Sequence, residues 1–93
     1  MRLDVYLNRV CILRSRTLAK EACRRKKIKV NDRVARGSDS VRSGDRIRLD
    51  LGVRILELEV AEIPEGQVSK KDVSRFYKIL VDDRAELDNE MEF

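Results

Sequence analysis

Apolar residues near the start of the chain recur at the spacing of a helix face. Positions i, i+3, i+4 and i+7 of this segment are Leu3, Tyr6, Leu7 and Val10. The pattern predicts an amphipathic helix with one buried side. A second helix is expected to begin at a cap formed by Ser15 or Thr17 and to run to about residue 26. Its buried side would hold Leu18, Ala19 and Ala22.

The periodicity changes from helical to alternating after the second helix. Residues 28–30 are typical of a short strand, Asn31 and Asp32 of a tight turn, and residues 33–35 of the returning strand. Residues 37–43 are rich in Gly, Ser and Asp, which predicts a loop. Two longer alternating strands follow. Their inward positions are Ile47, Leu49 and Leu51 in the first strand and Leu56, Leu58 and Val60 in the second.

The last part of the chain returns to a helical pattern and then becomes acidic. Ser69 followed by Asp72 resembles a capping box. The apolar positions behind it are Val73, Phe76, Tyr77 and Leu80. We therefore expect a short C-terminal helix that places both aromatic side chains in the core. Six of the twelve residues from 82 to 93 are acidic, which predicts a disordered tail behind a single α+β domain over residues 1–81.

Composition limits the functions that this chain can have. Its 93 residues suit one domain, and 41% of them are charged. The sequence contains no His and only two Cys, which excludes His-based catalysis and standard zinc sites, and we expect no metal and no cofactor. Cys11 and Cys23 border apolar faces and are expected to be buried core thiols. Every apolar run is far shorter than the roughly 18–20 residues of a membrane span, so we expect a cytoplasmic protein without a membrane partner.

Charge divides the chain into a basic half and an acidic half. Residues 1–48 carry 15 Lys and Arg against 5 Asp and Glu, a balance of +10, and residues 49–93 carry 6 against 12, a balance of −6. In the basic half, four cations recur at i, i+4, i+8 and i+11, and we call them the basic stripe: Arg16, Lys20, Arg24 and Lys27. They lie within about 80° of one another around a helix. Like charges at this spacing destabilise a helix, so their alignment favours binding to nucleic-acid phosphates over an ordinary solvated face.

Two residues at the start of the first helix extend this interpretation. Arg2 adds a cation to the same patch, and a cation at a helix N-terminus opposes the helix dipole, so it does not serve helix stability there. Asp4 has two open roles. It either favours the helix dipole or orients Arg16 or another residue of the basic stripe by a charge-assisted hydrogen bond.

Three segments carry a resemblance to a known family. They are RLD at residues 2–4, SRTLAKEACRRKKIKVN at residues 15–31 and VRSGDRIRLD at residues 41–50. The stretch from residue 2 to about residue 51 resembles the S4 RNA-binding domain, which implies two antiparallel helices packed on a small, bent antiparallel sheet. The chain departs from the family at Lys26-Lys27, where Gly is usual, and at Asp32, where the usual hairpin has Asn-Gly. Asn and Asp tolerate left-handed geometry, so the hairpin turn is still expected.

A free-standing chain of this length resembles the heat-shock-protein-fifteen-like group and, within it, proteins of ribosome-associated quality control. This implies binding to rRNA and tRNA on large ribosomal subunits that still hold a peptidyl-tRNA, in support of tail elongation of the stalled chain. The resemblance raises the orienting role of Asp4 to equal standing with its helix-dipole role, and both stay open. The expected RNA-binding residues are Arg2, Asp4, Arg16, Lys20, Arg24 and Lys27. We expect a monomer away from the ribosome, with no catalytic residue.

Other classes of function stay open at this point. The protein could be a general module for structured RNA or ribosome assembly, or a duplex-DNA binder, although the basic stripe lacks Asn or Gln to read base edges. A protein-interaction role could use the acidic tail or the outer face of residues 56–60. An enzyme is disfavoured, since Glu57 and Glu59 alternate with core residues and are expected on a solvent face. The catalytic domains to which S4 domains are fused elsewhere do not fit in 93 residues.

Overall fold

The computed structural model describes residues 1–84. The helices are α1 (Leu3–Arg9) and α2 (Arg16–Arg24), with a 3-10 helix at Lys70–Arg75. The strands are β1 (Ile28–Val30), β2 (Arg33–Val34), β3 (Arg46–Asp50), β4 (Arg54–Val60) and β5 (Tyr77–Arg84). All neighbours in the sheet are antiparallel, in the order β2-β1-β3-β4-β5. The predicted α+β class with two helices and an antiparallel sheet is confirmed.

The second helix begins and ends at residues with identifiable roles. Ser15 is the N-cap, and its Oγ accepts the backbone N–H of Leu18 at 3.1 Å, so the choice between the two candidate caps falls on Ser15. The helix ends at Arg24, about two residues earlier than expected. Lys26 has a φ of +61°, the left-handed geometry that ends helices and that Gly adopts most easily. The Gly usual in the family therefore corresponds to a left-handed position that a lysine occupies here.

The hairpin between β1 and β2 forms as the sequence predicts. Asn31 and Asp32 have φ values of +51° and +70°, and they connect strands that pair Lys29 with Val34 and Val30 with Arg33. Two successive residues with positive φ are characteristic of the tight turn that matches strand twist. The Asn31 side chain also accepts the N–H of Arg46 at 3.0 Å, which attaches the turn to β3.

The core lies between the two helices and the inner face of the sheet. From the predicted positions it includes Leu3, Tyr6, Leu7, Val10, Ala19 and Ala22 of the helices and Ile47, Leu49, Leu56, Leu58 and Val60 of β3 and β4. Leu18, expected on the buried side of the second helix, is only half-buried and is not part of this core, and Leu51 follows β3 and packs partly buried against it. Glu57 and Glu59 lie on the outer face of the sheet, half-buried as expected for alternation with core residues. Arg48 of β3 pairs with Glu57 at 3.4 Å on that face. No helix within residues 1–84 has the length and apolar character that a membrane crossing requires.

The predicted C-terminal helix through Leu80 is wrong. The 3-10 helix ends at Arg75, and Tyr77 begins a strand that pairs with β4 along its length. Leu80, assigned to the core by its helical spacing, is 41% exposed. Helical spacing at four residues is a weak preference. The edge of β4 forms a ladder of backbone hydrogen bonds when this segment is extended, and that gain favours the strand over the helix. The predicted core packing of Phe76 and Tyr77 is confirmed, since both pack partly buried against it.

Two further expectations at the ends of elements change. Asp82, Asp83 and Arg84 belong to β5, so the first three residues of the predicted tail are part of the sheet, and residues 85–93 lie outside the described residues. Cys23 is buried as predicted, but Cys11 is exposed, so its assignment to the core is wrong. Cys11 follows the end of α1 with a φ of +64°, and this reversal of the chain directs its side chain away from the buried face of the helix.

Candidate nucleic-acid interface

The basic stripe occupies the solvent side of α2 and continues past its end. Ala19, Ala22 and Cys23 are the buried residues of this helix, whereas Arg16, Lys20 and Arg24 are exposed. Lys27 is exposed too, but it lies beyond the left-handed residue that ends the helix. All four cations of the basic stripe are therefore exposed, as the helical spacing predicts. Only Arg16, Lys20 and Arg24 are aligned along one face of α2, because Lys27 lies beyond the end of the helix.

A shallow pocket of about 220 Å³ opens beside this face, between the start of α1, α2 and the loop that follows β2. Its lining residues are Arg2, Asp4, Lys20, Cys23, Arg24, Arg36, Gly37 and Ser38. The fold thus brings together four of the six predicted RNA-binding residues. Arg16 and Lys27 lie outside the lining of the pocket, toward the two ends of α2. We call this hollow the basic pocket.

An ion pair between a buried carboxylate and a half-exposed guanidinium lines the basic pocket. Asp4 is fully buried, and its two carboxylate oxygens accept Nε and Nη2 of Arg2 at 3.1 and 3.0 Å. The side chain of Arg2 is 47% exposed, so the guanidinium is held on one side and open on the other. The hydrogen bond and charge of Asp4 raise the pKa of Arg2, which keeps it cationic. The expectation that Asp4 orients Arg16 or another residue of the basic stripe is wrong, because its partner in the structure is Arg2, which lies outside that stripe.

The loop after β2 supplies the other wall of the pocket. The N–H of Asp4 donates to the carbonyl of Gly37 at 3.1 Å, and the N–H of Leu3 donates to that of Asp39 at 2.8 Å. A Cβ on Gly37 would stand only 3.1 Å from Oδ2 of Asp4. A residue without a side chain at this position is what allows the loop to approach the carboxylate so closely.

Glu21 places a negative charge against the basic stripe. Its carboxylate accepts Nε and Nη2 of Arg24 at 3.2 and 2.6 Å and Nε of Arg25 at 2.9 Å. These hydrogen bonds lower the pKa of Glu21, so it is ionised at neutral pH. By contrast, Lys20 and Arg36 form no ion pair with any carboxylate of residues 1–84. Among its lining cations the pocket therefore has two without an ion pair in the described range, Lys20 and Arg36, and two that are already paired, Arg2 and Arg24.

The chemistry of the pocket is that of binding. Burial, reinforced by the charges of Asp4 and Asp39, raises the pKa of the Cys23 thiol to about 11, so it is protonated at neutral pH and is a poor nucleophile and metal ligand. In the described part of the chain, no group of three or more His, Cys, Asp or Glu residues is arranged to hold a metal ion. What the pocket offers a ligand is a set of guanidinium and ammonium donors and the Ser38 hydroxyl.

Sequence reasoning missed the loop residues of the pocket. Arg36, Gly37 and Ser38 stand nine to eleven positions beyond Lys27, the last residue of the basic stripe, and share no helical or strand periodicity with it. The available signals were weak: Arg36 contributes to the charge of the basic half, and a Gly-Ser loop follows it. Only the path of the chain after β2 shows that this arginine faces α2.

Comparisons with known proteins agree with this architecture. Residues 1–47 match the family described as the S4 domain. The chain is 34% identical to a protein of Halalkalibacterium halodurans named RQC P-site tRNA stabilizing factor, an alignment that covers 85% of this chain and 89% of that relative. A protein of the same name from Streptococcus pneumoniae is also 34% identical, with coverages of 92% and 97%.

Two solved structures have the same fold. The trimeric structure of Heat Shock Protein 15 from Vibrio cholerae superposes with a TM-score of 0.80 at 24% identity, covering 86% of this chain and 81% of that chain. A solution structure of a hypothetical protein superposes with a TM-score of 0.75 at 29% identity, covering 87% and 98%. These likenesses extend through most of the chain, well past the first 47 residues.

Proposed function

Because the chain belongs to the S4 domain family, we propose that it binds rRNA and tRNA on large ribosomal subunits obstructed by a peptidyl-tRNA. In this role it supports ribosome-associated quality control and the tail elongation of stalled nascent chains in the cytoplasm, and it is a monomer away from the ribosome. The observation that carries the proposal is the basic pocket, in which a buried Asp4 fixes Arg2 beside Lys20 and Arg36. The names of the relatives that it resembles over most of its length point to the same task.

The pocket supplies the kind of contact that a folded RNA backbone needs. Asp4 occupies two donors of Arg2, and the exposed side of the guanidinium retains N–H groups for a phosphate or a ribose 2′-hydroxyl. Lys20 and Arg36 add unpaired positive charge at the same place. Phosphate contacts release counterions from RNA, so binding should weaken steeply with salt, and four to six contacts give a slope of log K against log salt of roughly −3 to −5.

The proposed contribution to quality control is binding energy alone. A protein that binds one placement of the tRNA more tightly than the others increases the population of that placement by its differential affinity. Asp4 holds Arg2 in one orientation before RNA arrives, so less side-chain entropy is lost when the contact forms. The exposed residues of the basic stripe outside the pocket, Arg16 and Lys27, extend the positively charged surface along the RNA.

Sedimentation of charge-reversal variants tests the proposal. Tagged protein from cells with induced stalling should migrate with free large subunits that carry peptidyl-tRNA, and the double variant R16E/K20E should move to the top of the gradient. The matched control is K70E/K71E, which changes the same charge at two exposed lysines of the 3-10 helix. Both variants should keep the circular dichroism spectrum of the parent.

Three outcomes would contradict parts of this proposal. Normal RNA binding by R16E/K20E would mean that the basic stripe is only a solvated surface. Equal losses in K70E/K71E would show that net charge, and not this face, controls binding. Migration with small subunits alone, or no ribosomal co-migration at low salt, would leave a general module for structured RNA.

A further inference from the structure

Within residues 1–84, β5 is the edge strand of the sheet at the end opposite β2. Three consecutive apolar residues on this edge are exposed: Ile79 by 43%, Leu80 by 41% and Val81 by 39%. An edge strand has unpaired N–H and C=O groups along one side, so an apolar and exposed one is a template for another strand. This surface is remote from the basic pocket, which is built from α1, α2 and the loop after β2.

A bulge in β5 places two charges of opposite sign on one face of this edge. Val81 lies opposite Glu57 and Ile79 lies opposite Leu58, so Leu80 is the extra residue of the bulge. In a regular strand, residues 78 and 83 would point to opposite faces, because side chains alternate. With one residue taken up by the bulge, Lys78 (opposite Glu59) and Asp83 (opposite Ile55) both lie on the outer face of the sheet.

Neither of these charges is used within the described fold. Lys78 and Asp83 are exposed, and neither forms an ion pair with a residue of the described range. Asp82, by contrast, is held by Arg54 through hydrogen bonds of 2.9 and 3.0 Å. The edge therefore presents a free cation at one end, an apolar centre at Leu80 and Val81, and a free anion at the other end.

We propose that β5 pairs with β5 of a second copy of this chain, antiparallel and about a two-fold axis between Leu80 and Val81. In this register each Lys78 stands opposite Asp83 of the other copy, on the same face, and Leu80 of one copy meets Val81 of the other. The pattern is self-complementary, which is the requirement of a two-fold interface. The two sheets join edge to edge, and both helical layers lie on the same side of the joined sheet.

The small size of the contact determines its strength. Pairing of two strands of this length buries well under the roughly 1,200 Å² of typical specific interfaces. The dimer is therefore weak, with a dissociation constant on the order of 0.1 mM, and the dilute protein is a monomer. Because the edge lies away from the basic pocket, pairing leaves RNA binding unaltered, and the two properties can be tested separately.

Sedimentation velocity across a concentration series tests the proposal. At about 50 mM salt, where screening is weak, the average sedimentation coefficient of the parent protein should rise between roughly 10 µM and 1 mM. K78E and D83K should each weaken association about tenfold, since each reversal puts two pairs of like charges face to face in the symmetric dimer. The matched control K71E changes charge on the 3-10 helix and should associate like the parent.

Mixing the two variants tests the register. K78E and D83K together restore an opposite-charge pair at both ends of the edge, so their mixture should associate about as well as the parent. Glu59 stands opposite Lys78 in the sheet, so K78E puts two carboxylates side by side within one copy, and thermal melting checks that its fold is retained. Asp83 stands opposite Ile55, so D83K creates no such pair of like charges. The proposal is overturned if the parent protein stays monomeric to about 1 mM or if K71E weakens association as much as D83K does. It is overturned equally if the mixture of K78E and D83K does not associate. RNA binding by K78E and D83K should equal that of K71E.

Discussion

Removing the negative charge of Glu21 should strengthen RNA binding. Glu21 pairs with Arg24 and Arg25 at 2.6 and 2.9 Å on the exposed side of α2. The substitution E21Q keeps the shape of the side chain, while the neutral amide holds a guanidinium less strongly than a carboxylate does. Arg24, which lines the basic pocket, is then available to a phosphate.

The size of the effect follows from counterion release. Each phosphate neutralised contributes about −0.9 to the slope of log K against log salt, so one additional contact strengthens binding about eightfold at 0.1 M salt and about threefold at 0.3 M. Arg25 is released as well, and the upper bound is therefore two additional contacts. The gain should shrink as salt rises, which separates it from a change in shape of the site.

Fluorescence anisotropy with a labelled rRNA hairpin, repeated at four salt concentrations, measures both the affinity and the slope. The control is E65Q, which removes one negative charge at an exposed residue that lies outside α2 and does not line the basic pocket. We expect a steeper slope for E21Q and an unchanged slope for E65Q. An E21Q protein that binds no tighter than E65Q, or with the slope of the parent, would show that Arg24 binds RNA while it is paired with Glu21.

Three further predictions concern the fold. In native protein at pH 8, iodoacetamide should modify the exposed Cys11 and spare the buried Cys23. Burial raises the pKa of Cys23 to about 11, so only about one molecule in a thousand carries the reactive thiolate. Intact-mass spectrometry of the native protein should show one adduct, and two adducts would contradict the prediction. Lys26→Gly should relieve the strain of the left-handed backbone at this residue and stabilise the protein by about 1 kcal/mol. Tm should rise by about 4–8 °C, whereas an unchanged or lower Tm would mean that the position carries no strain. Truncation after Val81 removes the end of β5 and the ion pair between Asp82 and Arg54 of β4, so it should lower the free energy of unfolding by about 1–2 kcal/mol. Truncation after Arg84 retains both features and is the control. Equal thermal melting curves for the two truncated proteins would contradict the stabilising role of the strand end.

The elements that the sequence predicts correctly are those determined by neighbours along the chain. The alternation of Ile47 and Leu49 with arginines specifies which face of β3 is buried, whatever the rest of the fold does. Asn31 and Asp32 tolerate positive φ by their own chemistry, and the tight turn follows. The cap at Ser15 is local as well. In each of these cases a few adjacent residues contain the whole physical cause.

The C-terminal segment shows where such local reasoning ends. Val73, Phe76, Tyr77 and Leu80 have helical spacing, but Tyr77, Ile79 and Val81 also alternate, so the same residues fit two periods. The choice between them is made by β4, whose free edge offers hydrogen bonds to an extended segment along its whole length. No property of residues 73–81 taken alone contains that information.

The candidate site combines both situations. Helical spacing correctly places Lys20 and Arg24 on the exposed side of α2, because a helix face is a local property. The position of Arg36 beside α2 depends on the path of the loop after β2, which the local sequence does not determine. The pairing of Asp4 with Arg2 was missed for another reason. The two residues are only two positions apart, and Arg2 is itself the extended residue that precedes α1, a backbone geometry that lets its side chain turn back to the acid.

A buried acid at the centre of a basic site is consistent with anion binding because it orders one cation. Arg2 stands at the N-terminal end of α1, where the helix dipole disfavours a positive charge and a free arginine would turn into solvent. The two hydrogen bonds that it donates to Asp4 hold it, and Gly37 lets the loop close over the carboxylate without a clash. The acid lowers the net charge of the pocket, yet the guanidinium it fixes loses little entropy on binding. In the proposed role, Lys20 and Arg36 supply the unpaired charge that attracts RNA, so attraction and orientation are assigned to different residues of the same pocket.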